Sequence, residues 1–188
     1  MWSVLPESYP ASMRAVRPIS FALLLVLAAP LAACSGQPGA HAWAALVCTT
    51  LSPWRSEIDT LTSRTQQQMT SKTTPGQAKE NLARLFDGAA TASEKAREGV
   101  EKAGVPDVDN GKAIADGFLS SLAGIRDAYG HARTGIEGLA TAPSQAFYDE
   151  VGKVVAQLTT DYERSSLDTT NLESVELRQA FDTLPECQ

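Results

Sequence analysis

The sequence predicts an all-α protein: an antiparallel four-helix bundle with a short fifth C-terminal helix, following an N-terminal signal peptide. Two observations carry the fold class. Prolines at 53, 75, 106, 143 and 185 divide the chain beyond residue 42 into proline-free stretches. Within each stretch apolar residues step alternately by four and three, a spacing that keeps them on one stripe of an α-helix. Four such stripes can close a shared core, and no alternating strand pattern competes.

Taken in order, the first segment opens at Ser52-Pro53 and carries Trp54, Ile58, Leu61, Thr65 and Gln68, fading to polar at its end. The second opens at Thr74-Pro75, with Thr74 and Gln77 at capping-box spacing. Its stripe is Leu82, Phe86, Ala89, Ser93, Ala96, Val100 and Ala103, and Gly104 before Val105-Pro106 supplies a stop. The third has the clearest stripe: Phe118, Leu122, Ile125, Tyr129, Ala132, Ile136 and Leu139. The fourth, after Ala142-Pro143, shows Phe147, Val151, Val154, Leu158 and Tyr162. A short fifth helix around Val175–Phe181 packs Leu177 and Phe181 over one end and delivers Leu184-Pro185-Glu186-Cys187 towards Cys48.

The N-terminus reads as an export signal. Arg14 and Arg17 form a positive region, and an apolar run from Ile19 to Ala29, broken only by Ser20, is too short for a membrane anchor but suits a signal peptide. It ends in Leu31-Ala32-Ala33-Cys34, which resembles a bacterial lipobox; the alternative is an ordinary Ala-x-Ala signal with an incidental cysteine. The expected organisation is therefore a signal peptide over 1–33, a lipidated Cys34 and tether over 34–47, and the helical-bundle domain over 48–188. Residues 1–12 fit no part of a signal, and Met13-Arg14 makes the better start.

The chain carries a net charge of −6 over 188 residues, and export would remove two basic residues and one acidic residue. No dense basic face exists for nucleic acid, and charge would not hold the domain on anionic headgroups, so membrane association is expected through the lipid on Cys34. With Cys34 occupied, Cys48 and Cys187 remain as an even pair in an oxidising compartment. They are read as a disulfide that clips the ends of the domain together; the alternative is two buried free thiols.

The third segment holds Gly117, Gly124, Gly130, Gly135 and Gly138. Glycine inside a helix costs about 1 kcal/mol relative to alanine, so these residues need a reason. Gly117, Gly124 and Gly138 fall at heptad spacing, with His131 in the remaining place. This stripe is either a close approach to a neighbouring helix, with the alanine-rich second helix as the first choice, or a groove for a lipid or another apolar ligand.

Other chemistry finds little footing. His131 has one carboxylate, Asp127, at helical spacing and is expected to pair with it, which is not a metal set. Asp107-Val108-Asp109-Asn110-Gly111 begins like a calcium loop, but its glycine is fifth and Phe118 occupies the twelfth position. It is read instead as a helix connection, with Asp109 or Asn110 capping the third helix. Glu94, Lys95, Arg97, Glu98, Glu101 and Lys102 read as a solvated face, as do Arg126, Asp127 and Arg133. No nucleophile elbow or other catalytic constellation is present, so no enzyme, metal or cofactor is expected.

Asn81-Leu82-Ala83-Arg84-Leu85-Phe86-Asp87-Gly88-Ala89-Ala90, Gly104-Val105-Pro106-Asp107-Val108-Asp109-Asn110-Gly111 and Leu184-Pro185-Glu186-Cys187, together with the lipobox, resemble small secreted or lipid-anchored proteins of actinobacteria. That resemblance implies an extracytoplasmic, membrane-anchored location and brings no activity with it. The expected role is a non-enzymatic binding or scaffold module in the cell envelope with an envelope protein as partner; the alternative is a carrier of a lipid or small apolar ligand.

Overall fold

The computed structural model describes residues 36–165 and 172–188. The signal peptide, the lipobox with Cys34, and the connection over 166–171 lie outside the described residues. The rest is all-helical: α1 (Ala40–Gln68), α2 (Pro75–Ala103), α3 (Gly111–Gly138), α4 (Ser144–Ser165) and α5 (Val175–Thr183), with a 3-10 turn over Pro185–Cys187. Four long helices pack together and the short fifth closes one end, as the periodicity predicts.

Local signals account for most of the boundaries. Thr74 and Gln77 form the capping box, each side chain satisfying a backbone N–H of the other at the start of α2. Gly104 ends α2 in a backbone conformation with φ +74°, which a side chain disfavours. Ser174 caps α5 by accepting from the Leu177 N–H.

One boundary differs from expectation. The first helix starts at Ala40, so Pro53 lies inside it and the domain takes in much of the supposed tether. Trp43, Ala44, Val47 and Cys48 are buried there. An interior proline costs about 3 kcal/mol, and burying an indole and a valine on the same stripe outweighs it. Pro38 belongs to the domain as well, because its carbonyl accepts the Asp107 N–H at 2.8 Å.

The α2–α3 pair is the spine. α1 lies antiparallel along α2 and α4 antiparallel along α3, while the backbones of α1 and α4 do not come within packing distance of each other among the described residues. The apolar interior accordingly forms two cores. At the pole holding the start of α1, Trp43, Val47, Val100, Ile114, Phe118, Leu122, Leu172 and Leu177 are buried together. Towards the other pole Phe86, Ala132 and Ile136 are buried under Leu82, Tyr129, Val151, Val154 and Leu158. α5 therefore seals the first core against α1, and α4 seals the second against α3.

Two glycines on each central helix receive its outer partner. A Cβ at Gly88 would meet Leu61 Cδ2 of α1 at 2.9 Å, and one at Gly99 would meet Thr50 Cγ2 at 2.5 Å. On α3, a Cβ at Gly124 would overlap the Ser165 hydroxyl of α4, and one at Gly135 would meet Val154 Cγ2 at 3.1 Å. In both pairs the glycines stand eleven residues apart. Eleven residues are close to three full turns, so the two gaps line up on one face.

Candidate functional site

The pole with the chain ends is built around Trp43. Its ring is fully buried, meets Phe118 edge-on at 5.2 Å between centroids, and packs against Phe181, which in turn stacks on Phe118. Burial of an indole leaves its N–H to be satisfied. Trp43 Nε1 donates to the Gly104 carbonyl at 2.8 Å, so the left-handed stop of α2 is also an acceptor for α1. Cys48, on the next turn of α1, is joined to Cys187 by a disulfide with its Cα atoms 5.0 Å apart. Both ends of the domain thus converge on one pole, where the bond joins α1 to the 3-10 turn after α5. These atoms hold the fold together and present no reacting group.

The connection into α3 is as predicted in kind and different in detail. Asn110 adopts a left-handed φ of 57° at the N-cap, with no side-chain bond to the helix start. Its amide instead donates to Glu173 Oε2 at 2.7 Å, tying the connection to the chain before α5. Gly111 is required sterically, since a Cβ there would overlap the Pro106 carbonyl oxygen.

The structure separates the four groove residues Gly117, Gly124, His131 and Gly138. Gly124 faces Ser165 of α4, whereas a Cβ at Gly138 would meet open space and His131 is exposed. Gly117 is partly buried on the first turns of α3. The neighbour approaching Gly124 and Gly135 of α3 is α4, not the alanine-rich α2. The Asp127–His131 pair is not formed either: the Asp127 carboxylate accepts from Arg126 at 2.8 Å. Among the described residues no three His, Cys, Asp or Glu side chains gather as metal ligands.

The charged face of α2 divides in two. On one side Glu94 is no bystander. Arg97 grips it with two nitrogens, and Arg126 of α3 reaches it at 2.7 Å. Hydrogen bonds from Arg97 first and Arg126 second pull the Glu94 carboxyl down to about 2. This three-membered cluster, with Arg133–Asp87 at 2.6 Å further along, stitches α2 to α3.

On the other side Lys95, Glu98 and Lys102 border a groove between α1 and α2 with a volume of about 710 Å³. Gly88, Ala92, Ala96 and Gly99 form its floor, with Pro53 and Trp54 on the α1 side next to Glu57. Trp54 is fixed there because its Nε1 donates to the buried Ser93 hydroxyl at 3.1 Å, and that hydroxyl donates to the Ala89 carbonyl. Trp54 packs against the first core, as its place on the stripe predicts, and it also walls the groove, which the sequence did not show. The signal that could have shown it is the run of small residues at 88, 92, 96 and 99.

No family model, curated protein or solved structure matches the chain. Among the described residues no helix is long and apolar enough to cross a membrane.

Proposed function

We propose that the protein is a lipid-anchored extracytoplasmic lipoprotein whose helical bundle acts as a non-enzymatic binding or scaffold module in the cell envelope. The observation that carries this reading is the Cys48–Cys187 disulfide. Such a bond persists in an oxidising compartment, which agrees with the signal and lipobox that precede the domain. The bond also lies at the pole where α1 begins. Cys34 stands six residues before the start of α1, a stretch that reaches at most about 20 Å when extended. A lipid on Cys34 would hold this pole, with Leu46 and Val175 exposed on it, within that reach of the bilayer. The groove between α1 and α2 runs along the length of the bundle, available to a partner.

The carrier reading began with the glycine stripe of α3, and Ser165 occupies the space beside Gly124. It therefore ranks second. Both readings are tested by labelling cells that express the full chain with an alkyne fatty acid. Label on the wild type that disappears in Cys34→Ala supports the anchor, and equal label on both chains, or none, overturns it. Native mass spectrometry of the secreted Cys34→Ala protein then separates the modules. Bare protein fits the scaffold, and a retained lipid mass moves the carrier into first place.

A further inference from the structure

We infer that the groove between α1 and α2 is an interface with a second copy of this chain, the two copies running antiparallel. The inference is independent of the lipid anchor and rests on the charges that border the groove.

Thr50 faces Gly99 and Leu61 faces Gly88, and these contacts fix the register of α1 on α2. In that register Glu57 of α1 stands level with Ala92 of α2. Along the groove the charges then read Glu57, Lys95, Glu98, Lys102: negative, positive, negative, positive, at nearly even intervals. All four are exposed, and none of them forms an ion pair among the described residues. Their neighbours on the same helix, Glu94, Arg97 and Glu101, are all paired.

An alternating row with unlike ends is complementary to itself when turned end for end. A two-fold axis across the groove, level with the middle of the row, sets Glu57 opposite Lys102 of the second copy and Lys95 opposite its Glu98. Symmetry repeats each pair, giving four ion pairs from four residues per chain. A parallel copy would set like charges together. The floor suits close approach, because Gly88, Ala92, Ala96 and Gly99 carry at most a methyl group and keep it shallow, and Trp54 offers a fixed apolar wall. The charges set direction and register, and the apolar floor and the indole supply the contact that water leaves.

The test is the mass of the full-length chain, purified in mild detergent, by native mass spectrometry and sedimentation. A dimer that loosens on raising salt is expected. Lys102→Glu should weaken it by about tenfold or more, since the change sets two carboxylates together on both sides of the axis. Glu57→Lys combined with Lys102→Glu should restore the dimer. Circular dichroism of each variant confirms that the helices remain. A monomer throughout overturns the inference. So does a dimer indifferent to the single reversal, or a single reversal that the second change fails to rescue.

Discussion

Two glycines of α3 should respond to alanine in opposite directions. At Gly111 a Cβ overlaps the Pro106 carbonyl oxygen, and backbone cannot rotate out of the way as a side chain can. Gly111→Ala should lower stability by about 1–3 kcal/mol, as overpacking does elsewhere. At Gly130 nothing lies within 4 Å of a Cβ, so Gly130→Ala should raise stability by about 1 kcal/mol through helix propensity alone. Urea midpoints of the two variants decide the matter, and a shared sign would contradict the packing described around α3. Glu94 offers a test by pH. Its carboxyl is held at about 2 in the folded chain against an ordinary 4.5. A depressed acid stabilises the fold above its ordinary value and loses that contribution as pH falls from about 4.5 towards 2. Glu94→Gln should therefore flatten the acid limb of the stability profile in that window and leave the neutral-to-alkaline limb parallel to wild type. The groove charges, by contrast, should matter little to the isolated fold, because exposed single charges contribute little.

At the scale of the elements, the short C-terminal helix and α4 do equivalent work at opposite ends with different reinforcement. α5 brings only Leu177 and Ala180 fully into the core, with Phe181 partly buried on the aromatic cluster, and the disulfide holds it down. The bond spans 139 residues of sequence, which in the chain-entropy model corresponds to about 4–5 kcal/mol. Replacing both Cys48 and Cys187 by serine should lower the free energy of unfolding by that order, a large part of the total for a domain of this size. Wild type measured in reductant should match the double variant. α4 has no such clamp. Phe147 is its one fully buried side chain, and the rest of its stripe is half-covered against α3. Hydrogen exchange should therefore be fastest in α4 among the four long helices and slowest in the facing halves of α2 and α3. Equal protection across all four would mean that α4 is held by contacts beyond those described.

Among the described residues the bundle is a pair of cores laid end to end on one spine, and its sequence shows parts of this plainly. The stripe on α2 from Phe86 to Ala103 is buried almost residue for residue as its spacing dictates, and α3 from Phe118 to Ile136 behaves alike. A central helix is covered on a wide face, so its period is clean. α4 carries an equally regular stripe but covers only part of α3, and the pattern overstates its burial. The start of α1 was hidden because Pro53 is a local stop signal, while the reason to ignore it, the cluster of Trp43 with Phe118 and Phe181, joins residues far apart in sequence. The α1–α2 groove was hidden for the same reason: its alternating charges lie on two helices, and they form a row only once Thr50 meets Gly99. Heptad spacing on α3 pointed to Gly117, Gly124, His131 and Gly138, whereas the working pairs are eleven apart, a period that becomes visible once a neighbouring helix is seen to fill it.

What the sequence determined by itself is what depends on near neighbours in the chain: the helices, the capping box at Thr74, the stop at Gly104, the burial stripes of α2 and α3, and an even pair of cysteines at the domain ends. The tertiary structure alone decided the rest. It carried α1 through its proline, turned the side chain of the N-cap residue Asn110 to Glu173 instead of the helix start, made Glu94 the link between α2 and α3, and left α1 and α4 apart with a groove beside α2. Each of these outcomes is set by contacts between residues distant in sequence, whose energy exists only once the helices have met.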